Sequence, residues 1–150
     1  MSAPDDGGLR EQLATCTRIL AMEGLIGMFG HVSTFDPTSR RVFLCPGAGS
    51  DKARTQAADL FVLDLDGQVL EGQGHVPLEW PIHTSVHGAR PDALAVAHLH
   101  APYATLFAIA DREFRPVTLH GSIFGHGVPL YTEALLVETP AQGQIGRAHV

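Results

Sequence analysis

Glu79 and the pair His98-Leu99-His100 are the residues of this chain best placed to do chemistry. The apolar run Ala93-Leu94-Ala95-Val96-Ala97 leads directly into the two histidines. Side chains alternate along a strand, so His98 and His100 point to one face, with Cα atoms roughly 6.5–7 Å apart. Two imidazoles at that spacing converge on one cation, and imidazole suits zinc and other divalent transition metals. Pro102 closes the strand, and Pro81 suits the first turn of a short helix that begins just after Glu79. A carboxylate and a His-x-His strand end, each flanked by a turn, outline a metal-centred site. Taken singly, the two histidines could be the satisfied polar end of a strand, and Glu79 a helix-start carboxylate stabilised by amide dipoles. His83 and His87 lie at i, i+4 on one helix face, a spacing that binds zinc in some proteases. No Glu follows His83 directly, so a second metal site is not expected there.

The elements that must position these groups read as an α/β alternation. Leu9, Leu13, Cys16 and Leu20 fall at helical spacing, which predicts an amphipathic helix over 8–23, stopped by Gly24. His31-Val32-Ser33-Thr34-Phe35 alternates like a strand and ends at Asp36-Pro37, with Arg41–Leu44 pairing as a hairpin. A glycine loop and a helical turn at residues 55–58 precede a buried strand, Leu60–Leu63. Asp66-Gly67 is a hairpin signal that returns the chain through Val69-Leu70. Beyond the histidines, a helix is expected over Tyr103–Ala110, a strand near Val117–His120, and a glycine loop after it. Strands alternating with helices make one layered α/β domain.

Composition narrows the classes. A chain of 150 residues with 45% hydrophobic content can bury a single core. A net charge of −6 with no basic run argues against a nucleic-acid partner. Two cysteines, Cys16 and Cys45, make no disulfide framework, which points to a reducing compartment. The polar, acidic start lacks a signal pattern, and no stretch has the ~18–20 apolar residues of a membrane span. A cytoplasmic location is expected.

Three blocks then carry a resemblance. GLIGMFGHVSTFDP (24–37) and LCPGAGSDKARTQAADLFVLDLDGQVLEG (44–72) resemble two glycine loops of the class II aldolase/adducin family. Glu79, His83 and RPDALAVAHLHAPYATLFA (90–108) resemble its core, in family order and spacing over nearly all of residues 9–142. The resemblance implies a three-layer αβα sandwich with a mixed central sheet, and a homotetramer with sites between subunits. It implies Glu79 as the proton-shuttling acid/base, and His98 and His100 as ligands of a divalent metal, zinc first and manganese or cobalt next. It makes His83 a helix-to-site packing residue. It also places a third histidine ligand beyond this chain, which leaves His120 and His126 as in-chain substitutes, both better read as pocket or structural residues.

Family members that act on sugar phosphates hold the phosphate with loop polar groups and a serine pair before the glutamate. Here His31 stands where asparagine is usual, Pro46–Ser50 where Ser-Gly is usual, and Pro77-Leu78 precede Glu79. Hydroxyl and amide donors are thereby removed. The GHVS and PLE variants resemble the branch containing decarboxylases of aromatic carboxylates. The expectation is a metal-dependent carbon–carbon lyase, aldolase or decarboxylase, acting on a small hydroxy-, oxo- or aromatic carboxylate through a metal-stabilised enolate-like intermediate. His31, Ser33, Gly47 and Ser50 are the expected substrate contacts, with a protonated His31 favouring a carboxylate. The alternatives are a sugar-phosphate aldolase or epimerase, and a non-catalytic adducin-like assembly module.

The last seven residues, QIGRAHV, have a permitted back-translation that matches a common sequencing adapter. Residues 144–150 are therefore expected to be a non-native tail on a C-terminally incomplete domain, 1–143, that is inactive in this form.

Overall fold

The structure is a computed structural model that describes residues 6–131 and 135–148. Helix α1 covers Asp6–Met22. Strands β1 (His31–Asp36), β2 (Arg41–Leu44), β3 (Phe61–Leu63) and β4 (Val69–Glu71) follow. Then come α2 (Trp80–Ala89), β5 (Ala95–His98), α3 (Pro102–Ile109) and α4 (Pro140–Ala148). The strands form one sheet in the order β4-β3-β2-β1-β5. All four described pairings are antiparallel, so any parallel pair of the expected mixed sheet lies outside these ladders.

Alternation along the strands explains how both sheet faces are covered. Val32, Phe43, Cys45 and Val62 turn toward α1 and pack with Leu13, Leu60, Leu9 and Leu20. Leu44, Phe61 and Leu63 turn the other way and pack with Val76 and Trp80 at the start of α2. Helices therefore flank a central sheet, as expected. On α1, Cys16 is exposed, while Ala14 and Thr17 are buried. Thr17 satisfies its hydroxyl by donating to Leu13 O at 2.8 Å.

Two tight contacts fix the loops around α2. Gly67, in the β3–β4 turn, has φ +86°, and a Cβ there would meet the Trp80 ring at 2.1 Å. Only glycine lets Trp80 sit over the turn, and Glu79 adjoins Trp80 in sequence. The buried Lys52 ammonium ties the two glycine loops together, donating to Gly27 O at 2.8 Å, Met28 O at 3.1 Å and Gly47 O at 3.4 Å.

The strand expected near Val117–His120 does not form. Among the described residues no neighbouring strand completes its ladder, and the segment closes on itself as a 3₁₀ helix, Leu119–Phe124. Its cap is the Thr118 side chain, which accepts from Gly121 N. Burial also falls off beyond β5, the sheet edge, and α3 buries none of its residues.

Gly67→Ala is expected to lower unfolding stability by more than ~1 kcal/mol, since a left-handed backbone and a ring overlap act together. Urea denaturation checks this, and near-native stability would remove the role given to the Trp80 contact. Lys52→Met leaves three carbonyls without their donor, for an expected loss of about 1–3 kcal/mol. Thermal unfolding of that variant reads it, and an unchanged midpoint would rule out the clamp.

Candidate active site

The alternation that sends Val32 toward α1 sends His31, Ser33 and Phe35 toward α2. Helix α2 answers with His83 and His87, one turn apart and both fully buried. His31 Nδ1 lies 2.8 Å from His83 Nε2, and Ser33 Oγ lies 2.6 Å from His83 Nδ1 and 2.8 Å from His87 Nε2. His87 Nδ1 reaches Ala93 O at 2.8 Å, and its ring stacks on Phe35. Every side-chain polar atom of Ser33, His83 and His87 in this seam has a partner, as burial requires.

On the other side of β1, antiparallel register pairs His31 with His98 on β5. Their rings stack with centroids 4.9 Å apart. Gly30 makes this possible: its φ is +84°, and a Cβ would approach His98 O to 3.1 Å. His100 lies just past the strand, its backbone N–H donating to Leu25 O in the first glycine loop. His98 and His100 still face one another, Nε2 to Nε2, at 2.8 Å.

Glu79 stands at the N-cap of α2, yet its carboxylate caps no helix N–H. Oε2 turns instead toward the histidines, 3.3 Å from His98 Nε2 and 3.8 Å from His31 Nε2, while Oε1 accepts from Val137 N at 3.4 Å. One ligand atom from each of His31, Glu79 and His98 lies within 4.8 Å of the others. Burial, reinforced by His98, Lys52 and His100, lowers the His31 pKa to about 3. Burial also holds His83 well below its usual range, with added repulsion from its histidine neighbours. His98 is lowered by burial and His100, against the opposing pull of Glu79. Neutral imidazoles beside a carboxylate are the donor set that a divalent transition metal takes, so these side chains fit such an ion. Glu79 and His98 belong to this cluster, while His100 stands outside it and reaches it through His98.

Of the other expected contacts, Gly47 and Ser50 lie in the second glycine loop, where Ser50 Oγ donates to Gly47 O at 2.7 Å. A Cβ at Gly47 would meet Pro77 at 3.1 Å, so this loop lies against the segment leading to Glu79. Ser33 is fully buried, its hydroxyl held between His83 and His87. His120 and His126 are exposed and stand outside the described ligand cluster. Sequence reasoning missed Lys52 altogether. It also missed the joining of His31, Ser33, His83 and His87, although period-2 and i, i+4 spacings marked both halves.

The family profile described as Class II Aldolase and Adducin N-terminal domain matches residues 11–148. A 3,4-dihydroxyphthalate decarboxylase from Arthrobacter keyseri is 35% identical over 142 residues, covering 87% of this chain and 57% of that protein. A probable L-ribulose-5-phosphate 4-epimerase, UlaF, from Mycoplasma pneumoniae is 33% identical over 124 residues, covering 81% and 51%. The fold is that of an aldolase II superfamily protein from Pseudomonas syringae, with a TM-score of 0.79 at 22% identity over 98% of this chain and 61% of that one. The chain thus spans a little over half the length of these relatives. With the sheet, both glycine loops and the Glu79–His98 cluster in place across the matched residues, the chain belongs to the class II aldolase/adducin family.

Proposed function

We propose that the protein is a metal-dependent carbon–carbon lyase of the decarboxylase kind, acting on a small hydroxy-, oxo- or aromatic carboxylate. The observation that carries this reading is the Glu79 carboxylate, which leaves its own helix amides uncapped and faces His98 and His31. A structural helix-start acid would do the reverse. His98 and His100 are assigned as the ligands that hold the ion, and Glu79 as the group that gives or takes a proton. When bound, a divalent ion supplies Lewis-acid stabilisation for the negative charge left by bond cleavage. Zinc is the first choice, with manganese and cobalt next. A cytoplasmic homotetramer remains the expected form of the complete protein.

The substrate class rests on donors. Pro77 has no N–H and Leu78 is an exposed apolar side chain, so the segment entering Glu79 offers a phosphate no side-chain donor. Similarity to the decarboxylase of Arthrobacter keyseri supports the same choice. The sugar-phosphate reading keeps one specific support, similarity to the Mycoplasma pneumoniae epimerase. Among the described residues no helix is long and apolar enough to cross a membrane.

In the full-length protein, His98→Ala and His100→Ala are expected to lose bound metal and activity together. Glu79→Gln is expected to keep metal and lose ~10²–10⁴-fold in turnover, the usual range for general acid–base catalysis. Metal analysis with steady-state kinetics reads both, and normal turnover in Glu79→Gln would take Glu79 out of the mechanism. Purified wild type that neither contains nor takes up a divalent metal would favour the adducin-like module. Hydroxylated aromatic carboxylates should be decarboxylated with added metal. Cleavage or epimerisation of sugar phosphates alone would overturn the substrate class.

A further inference from the structure

We propose that a one-way hydrogen-bond relay holds His31 as its Nδ1–H tautomer, so that a bare Nε2 accepts a hydrogen bond from a substrate hydroxyl beside Glu79 and His98. Ser33, His83 and His87 are the positioning residues of this relay. The inference rests on the lyase reading only for the word substrate; the relay itself follows from the geometry.

The direction is set at the far end. Ala93 O can only accept, so His87 Nδ1, 2.8 Å away, carries a proton and donates. His87 and His83 are fully buried, and no described ion pair gives either a carboxylate partner. A lone buried imidazolium is costly, so both rings are neutral. His87 Nε2 is then a lone pair, and the Ser33 hydroxyl donates to it across 2.8 Å. Having spent its one proton, Ser33 Oγ accepts from His83 Nδ1 at 2.6 Å. His83 Nε2 is in turn bare and accepts from His31 Nδ1 at 2.8 Å. His31 Nε2 is left without a proton, and it is the atom that faces Glu79. The reverse polarity would need a cationic His87 and would aim a His31 N–H at Glu79. The 3.8 Å separation between His31 Nε2 and Glu79 Oε2 is too long for that hydrogen bond.

Ring orientation separates His31 from the metal pair. The His31 and His98 planes differ by only 19° in a stack, so their in-plane lone pairs lie in separate, near-parallel layers. His98 and His100 are instead inclined by 61°, with their Nε2 atoms 2.8 Å apart. His31 is thereby left to the substrate. A bare nitrogen has nothing to donate to a carboxylate or a phosphate, so its partner is a hydroxyl. This replaces the protonated His31 and carboxylate contact expected from sequence.

The test begins with full-length, metal-free wild type and imidazole ¹⁵N correlation spectra, with His31 signals assigned by their loss in His31→Gln. A pyrrole-type Nδ1 and a pyridine-type Nε2 are expected, and the opposite pattern overturns the relay without any variant having to fold. Ser33→Ala should give His31 a mixed tautomer signal and lower kcat/KM by about tenfold, the scale of one lost neutral hydrogen bond, with metal content unchanged. Ser33→Thr, which keeps the hydroxyl, should restore the single tautomer. An unchanged His31 spectrum in Ser33→Ala would eliminate Ser33 as a positioning residue and the relay with it. Wild type should also bind a hydroxylated aromatic carboxylate more tightly than its deoxy analogue, and His31→Gln should lose that preference. Equal preference in both proteins would overturn the acceptor role. A protein with the expected tautomer but no lyase activity would sink the proposed function and leave the relay standing.

Discussion

The polar seam between β1 and α2 constrains everything around it. Three imidazoles and a hydroxyl are buried there, and each unpartnered atom would cost about 1–3 kcal/mol. A chain of short hydrogen bonds tolerates little sliding, so α2 is held in one position against β1. Glu79 opens α2, and His98 is paired to β1 through strand register. The carboxylate and the imidazole are thus brought to 3.3 Å by two rigid elements that share one reference strand. Pre-organisation of this kind comes from supporting contacts rather than from the reacting groups themselves.

A second constraint shapes the rim. Lys52 joins two glycine loops that are distant in sequence, and its acceptors are backbone carbonyls. No described ion pair includes Lys52, so its charge is answered by dipoles alone, and burial lowers its pKa. The same charge is one of the influences that keep His31 neutral. The Gly47 contact with Pro77 keeps the loop close to Glu79. The face beyond β5 is open by comparison, with Leu94, Leu99 and most of α3 exposed.

Sequence alone determined what local periodicity can determine. Period-2 alternation found β1, the hairpin to β2 and the strand ending in His98, because side-chain direction on a strand is a local property. Asp66-Gly67 announced its turn, since few residues adopt a left-handed backbone. Pro81 and Glu79 marked the start of α2, and three ordered blocks were specific enough to name the family. The segment near Val117 forms no strand despite its pattern, for a strand needs a neighbour that no local pattern can promise.

What only the tertiary structure decided is which polar residues meet. His31 and His98 lie far apart in sequence, and antiparallel register makes them stacked partners. Ser33 read as a substrate contact because a hydroxyl in a motif looks available; packing of α2 buried it between two histidines. Lys52 carried no signal in sequence, and only the folded loops close around its ammonium. The physical reason is common to all three. Residue type fixes what a group can donate or accept, but long-range packing fixes which partner is within hydrogen-bond reach and whether water can compete for it.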